Sequence, residues 1–158
     1  MIRLRYAPGQ QPAYMTEHSA GADLCSRVSL SILPGKAAAV PTGVWIEYVE
    51  WDLVPEHTIP ELQIRARSGL ALKKRITLAN GVGTIDADYP DEIGVLLINL
   101  GDEPFQINPG DRIAQIVLNL VQRISGLPIG ATRSGGMGST GIARGQAAVF
   151  TPVRPPAV

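Results

Sequence analysis

Residues 93–121 read IGVLLINLGDEPFQINPGDRIAQIVLNLV, and this stretch decides the fold class. Ile93 to Leu100 is a long apolar stretch, read as a strand buried on both faces. Gly101-Asp102 and Asn108-Pro109-Gly110-Asp111 are turn clusters flanking another strand pair. Arg112 to Val121 again reads as strand. Working outward, Val28, Leu30 and Ile32 alternate with Ser29 and Ser31 before a turn at Pro34-Gly35. Val44, Ile46 and Tyr48 are expected on one face of a strand, with Trp45, Glu47 and Val49 on the other. Leu62 and Ile64 alternate with Gln63 and Arg65. Candidates recurring about every 8–12 residues have the spacing of a sandwich or barrel. One short helix is expected at Ser68–Lys74, with Ser68 as N-cap and Lys73 and Lys74 at the cationic end.

Composition agrees with an all-β chain. Seventeen Gly and thirteen Pro argue against a helical bundle. At 158 residues and 45% apolar, the chain has the size and content of one globular domain. A single cysteine, Cys25, excludes an intramolecular disulfide and a Cys-cluster zinc site. Apolar runs such as Val95-Leu96-Leu97-Ile98 fall far short of the ~20 residues of a membrane span. Arg3 and Arg5 have no apolar core behind them, so no secretory signal is expected, and a cytoplasmic location fits. Net charge is zero, so neither nucleic acid nor membrane is expected as a partner. The charges are unevenly spread. Glu47 to Glu61 holds five carboxylates and no Lys or Arg; Arg112 to Val158 holds five arginines and no carboxylate. Solvated surface accounts for this as well as an acidic or anionic partner of the C-terminal third does.

Three segments could carry chemistry. Asn80-Gly81-Val82-Gly83, followed by Asp86-Ala87-Asp88-Tyr89, suggests a tight hairpin with Asp86 and Asp88 on one strand face, though an ordinary polar turn fits too. Arg67-Ser68-Gly69 combines a guanidinium, a hydroxyl and backbone amides suited to a phosphate, or is an ordinary helix start. Ser134-Gly135-Gly136-Met137-Gly138-Ser139-Thr140-Gly141 lets amides converge on an anion, or is a flexible linker. His18 and His57 are isolated, so a zinc site is not expected. Trp45 and Trp51 read as packing residues and Cys25 as a small core residue.

In order along the chain, these segments resemble the five motifs of the trimeric dUTPase family. The motifs are Ala20-Gly21-Ala22-Asp23-Leu24, Arg67-Ser68-Gly69-Leu70-Ala71, Asn80 to Tyr89, Gly110-Asp111-Arg112-Ile113-Ala114-Gln115, and Arg133 to Gly141. The resemblance implies a jelly-roll β-fold, a homotrimer with sites at subunit interfaces, and a C-terminal arm closing over a neighbour's site. It implies hydrolysis of dUTP to dUMP and pyrophosphate, limiting uracil in DNA and supplying the thymidylate precursor. It implies Asp86 as the catalytic aspartate activating water, and Asp23 as a Mg²⁺ contact through water. Arg67, Ser68, Gly69 and Gln115 match phosphate contacts, and Arg133 would meet the triphosphate. Asn80, Gly83, Thr84, Ile85, Asp86 and Gly94 match the uracil-reading backbone, and Tyr89 the aromatic under the sugar. Met137, Gly138 and Ser139 match the closing arm.

Three features depart from the family pattern. Met137 stands where an aromatic usually stacks on uracil, so closure is expected with weaker base affinity. The 48–60 segment, which is acidic, looks like an insertion, and the 142–158 tail extends past many relatives and reads as mobile. The expected organisation is therefore a 1–141 domain including the arm, then the tail. A dCTP deaminase of the same fold and a nucleotide-gated regulatory protein are the competing readings. If the source is viral or eukaryotic, the location becomes host intracellular or nuclear.

Overall fold

The computed structural model describes residues 1–127 together with Gly135 and Met137. Arg133, Gly138, Ser139 and the 142–158 tail lie outside the described residues. The fold is all-β and jelly-roll-like. Its strands are β1 (Ile2–Tyr6), β2 (Ala22–Cys25), β3 (Leu30–Ile32), β4 (Ala37–Pro41), β5 (Val44–Val49), β6 (Ile59–Ala66), β7 (Ile76–Leu78), β8 (Gly83–Asp86), β9 (Gly94–Asn99), β10 (Phe105–Ile107) and β11 (Arg112–Val121). One helix, α1 (Ser68–Lys74), and a 3-10 turn at Trp51–Leu53 complete the described elements. None of the described helices is long and apolar enough to cross a membrane.

A four-stranded antiparallel sheet, ordered β2-β11-β6-β8, carries most of the motif residues. A second sheet, β4-β9-β7, and the ribbons β1-β5 and β3-β10 complete the described strands. In β6, Pro60, Leu62 and Ile64 are buried, while Glu61, Gln63 and Arg65 take the other face. Leu24, Ile64, Ile113 and Ile116 from this sheet join Val40, Val95 and Leu97 from the second in one core. Burying each such side chain stabilises the fold by about 1.5–3 kcal/mol.

Several expectations change. Strand β9 is not buried on both faces: Val95, Leu97 and Asn99 are buried and Gly94, Leu96 and Ile98 only half-buried. Its one polar inward residue is fully used. Asn99 Nδ2 donates to Ile32 O (2.8 Å) and Glu103 O (2.7 Å), and its Oδ1 accepts from Gly101 N (2.8 Å). In β5, Tyr48 does not share the inward face with Val44 and Ile46. Arg3 pairs with Tyr48 and Leu4 with Ile46, so Glu47 is an extra residue, a bulge that breaks the alternation. Val49 is half-buried instead, opposite Ile2. Strand β10 pairs with β3 and not with β11. The Asn80-Gly81 turn is not a hairpin, since β7 and β8 belong to different sheets. Asp88 lies in the turn after β8, closed by Tyr89 N donating to Asp86 O (3.0 Å), and so shares no strand face with Asp86.

Arg67, not Ser68, is the N-cap of α1. The helix ends at Arg75 in the left-handed region (φ 56°), whose N–H closes on Ala71 O and Leu70 O. Trp51 is 55% exposed, so it is no packing residue, whereas the Arg5 guanidinium lies 4.5 Å from the Trp45 ring centroid. Cys25 is only half-buried. Of the 48–60 segment, Tyr48 and Val49 belong to β5 and Ile59 and Pro60 to β6, so the irregular link is 50–58.

Candidate active site

A bulge builds the first half of the site. Residues 112 and 115 are three apart, which in a regular strand puts them on opposite faces. Here Arg112 pairs with Cys25 and Ala114 with Leu24, leaving Ile113 as an extra residue. Both Ile113 and Ala114 turn inward and are buried. Arg112 and Gln115 therefore emerge on the same face, beside Asp23. Arg112 Nη1 donates to Asp23 Oδ2 at 3.1 Å, and Gln115 Nε2 donates to Oδ1 at 3.1 Å. Arg67 Nε stands 3.8 Å from the same Oδ1, and its Nη1 donates to Arg112 O at 2.7 Å. Motifs from β2, from the β6–α1 junction and from β11 thus meet at one carboxylate that is only 4% exposed.

Asp23 carries one negative charge against two guanidiniums, so the cluster is one positive charge in surplus. That balance suits a polyanion such as a triphosphate. Gly21 packs closely here: a Cβ would lie 3.2 Å from Gln115 Cβ and 3.3 Å from Val117 Cγ2, so these side chains would have to shift by a few tenths of an ångström to admit one. Cys25 borders the cluster. Burial pushes its thiol pKa up and Asp23 adds to this, with Arg112 and Arg67 opposing. The thiol therefore stays protonated at neutral pH and is no nucleophile. Ser68 and Gly69 follow Arg67 at the exposed start of α1.

The second half sits at the other end of the sheet. Asp86 is opposite Glu61 and Thr84 opposite Gln63, both exposed on the face shared with Gln115, while Gly83 and Ile85 point into the core. A Cβ on Gly83 would meet Ile64 Cβ at 3.1 Å and Asn80 Nδ2 at 3.3 Å. Tyr89 is 6% exposed and packs in the core cluster. The backbone before Gly94 is pinned by Ile93 N to Val44 O (2.8 Å) and by Thr42 Oγ1 to Ile93 O (2.6 Å). Glu92 fastens the same loop, accepting from Gly43 N and from Arg27 Nε and Nη2. A Cβ on Gly94 would meet Met137 Cε at 3.2 Å, so Met137 lies against the start of β9 of its own chain.

These halves do not meet within one chain. Gln115 is level with Arg65 and Asp86 with Glu61 on β6. Four residues of strand separate those levels by about 13 Å, and Arg67 lies further still.

As a direct magnesium ligand Asp23 does not fit. Both of its oxygens already take hydrogen bonds from Arg112 and Gln115, and the described residues hold no group of three His, Cys, Asp or Glu suited to a metal.

The dUTPase family model matches residues 7–141. The chain belongs to the dUTPase family. Two similar curated proteins are both called deoxyuridine 5'-triphosphate nucleotidohydrolase. That of Rickettsia bellii is 48% identical over 141 residues, covering 85% of this chain and 89% of its own. That of Methylocella silvestris is 45% identical, covering 84% and 83%. Among solved structures, the Streptococcus mutans dUTPase superposes with a TM-score of 0.67 at 27% identity, covering 78% of this chain and 98% of that one.

One residue of the cluster escaped sequence reasoning. Arg112 was visible only as part of the fourth motif, because no local signal places the bulge at Ile113. A basic residue three before Gln115, next to a turn, is the trace it leaves.

Proposed function

We propose that this chain hydrolyses dUTP to dUMP and pyrophosphate as a homotrimer, with Arg67, Ser68, Gly69 and Gln115 on the phosphates and Asp86 on the attacking water. The carrying observation is the division of the motif residues between two ends of one sheet face, about 13 Å apart along β6. A second copy is needed to bring a phosphate cluster to an Asp86. In the reaction, Asp86 accepts a proton from water as the water oxygen bonds to the α-phosphorus. The bond from the α-phosphorus to the bridging oxygen breaks, and pyrophosphate leaves against Arg67 and Arg112. Asp23 is the residue that holds these guanidiniums in place.

Uracil is read by the backbone from Thr84 to Asp86 with Asn80, Gly83 and Gly94. Cytosine presents the reversed donors and would leave buried groups unpaired, a large discrimination. Tyr89, fixed in the core, forms a wall under the sugar that excludes a 2′-hydroxyl. Met137 covers the base, and Arg133, Gly138 and Ser139 complete the arm over the phosphates. Magnesium, bound with the triphosphate, would offset phosphate charge, and Asp23 is the residue that would hold it, through water. Residues 1–141 form the working domain and 142–158 a tail outside it.

The test is pyrophosphate release from dUTP, dCTP, dTTP and UTP with Mg²⁺, for the natural chain and Asp86→Asn. Release from dUTP alone, lost in the variant, is expected. Deamination of dCTP would move the reading to the deaminase, and no turnover by folded protein would move it to nucleotide binding without hydrolysis.

A further inference from the structure

The 50–58 link and the end of β5 present a surface that the reaction does not use. Tyr48 (51% exposed), Trp51 (55%) and Leu53 (60%) stand out from it within six residues. Exposed Glu47, Asp52 and Glu56 lie near them in sequence, and their side chains make no ion pair or hydrogen bond with the described residues, whereas Glu50 is engaged by Arg3 at 3.0 Å. The segment has its own internal bonds. Leu53 N donates to Glu50 O, Val54 N to Trp51 O, and Thr58 Oγ1 to Pro55 O (2.7 Å). Glu50 N donates to Met1 O (2.8 Å), which ties it to β1. The segment is therefore held by its own bonds, and it exposes two aromatic side chains and Leu53 close in sequence to carboxylates that have no partner among the described residues.

The chain carries a segment of matching chemistry. Residues 152–156 read Pro-Val-Arg-Pro-Pro, a Pro-x-x-Pro pattern containing an arginine, and the whole 142–158 tail has no carboxylate. Pro-rich segments enter aromatic-lined grooves as preformed polyproline II helices, and a guanidinium beside carboxylates adds charge-assisted bonds. We propose that the Pro152–Pro156 segment of this protein's own tail docks on the Tyr48–Trp51–Leu53 platform, with Arg154 facing Asp52, Glu56 or Glu47.

The reach is sufficient. Residues 138–151 separate Met137 from Pro152, and extended they span about 46 Å. That exceeds the width of a domain whose radius of gyration is about 15 Å. A random coil of that length would span about 20 Å on average, which corresponds to a local concentration in the millimolar range. A weak contact is then populated. The acid-rich link and the acid-free tail, unexplained by the reaction, become two sides of one contact.

The test uses full-length protein in a Trp45→Phe background, so that Trp51 reports alone. Acrylamide quenching of Trp51 fluorescence is measured for the natural tail and for the tail variants Arg154→Glu and Pro152→Ala/Pro155→Ala. Quenching is expected to rise in both variants, because the intramolecular contact that the linkage favours is lost. A peptide of residues 148–158 added to the Arg154→Glu protein should lower it again, less so at high salt. Equal quenching in natural and variant tails would overturn the proposal. Protection of Trp51 by an unrelated Arg-bearing polyproline peptide, with no effect of the tail variants, would assign the platform to another protein and also overturn it.

Discussion

The two ends of the β2-β11-β6-β8 sheet are built on opposite plans. At the Asp23 end, a buried carboxylate is bound by Arg112 and Gln115 with Arg67 close by, and a bulge in β11 sets the geometry. At the Asp86 end, Asp86 and Thr84 are exposed on the outer strand, and the nearby order comes from the backbone around Tyr89, Ile93 and Gly94. The comparison teaches a division of labour. On the proposed roles, the cluster assigned to the phosphates would hold its cations in place before substrate arrives, which lowers the ordering cost of binding, and the carboxylate assigned to the attacking water would keep access to solvent.

Substitutions should separate the two ends. The largest effect is expected for Asp86→Asn: hydrolysis of dUTP falls by about 10²–10⁴-fold, the usual weight of a positioned general base. Its melting temperature should stay near that of the natural protein, because the residue is exposed; pyrophosphate assay and calorimetry check both. Asp23→Asn should do the reverse in kind. Removing the charge from a buried partner of two guanidiniums is expected to cost about 3 kcal/mol of stability. Calorimetry should show a clear fall in melting temperature beside weaker substrate binding. An unchanged melting temperature would break the contrast.

Gly21→Ala pushes a methyl into Gln115 and Val117. It should raise KM for dUTP about tenfold, equivalent to about 1.4 kcal/mol, with kcat little changed. Met137→Phe should have the smallest effect and the opposite sign. A ring over the base adds about 0.5–1.5 kcal/mol, so KM should fall by about two- to tenfold. No fall in KM would count against Met137 as the base cover.

Much of this contrast was legible in the chain, and unevenly. Strand β11 is legible to its ends because Asn108-Pro109-Gly110-Asp111 marks its start and its apolar pattern is long. Strand β1 carries too short a signal to be legible. Its Ile2 and Leu4 alternate with Arg3 and Arg5 over too few residues, and pairing with β5 is what makes it a strand. Both bulges were invisible for the same reason: which residue is skipped depends on the partner strand, not on neighbours in sequence. The bulge at Glu47 moved Tyr48 outward, and the one at Ile113 turned Arg112 into a partner of Asp23. Motif order pointed to the site residues, but not to their separation, since register between β6, β8 and β11 is a tertiary property.

Complementation between two inactive chains reports that separation. Asp86→Asn and Arg67→Ala chains, each nearly inactive, are denatured together in equal amounts, refolded and assayed on dUTP. If a site takes its phosphate cluster from one copy and its Asp86 from another, random assortment leaves about a quarter of sites intact. The mixture should then recover about a quarter of natural activity. A mixture no more active than the two variants assayed apart would contradict the account and place each site within a single chain.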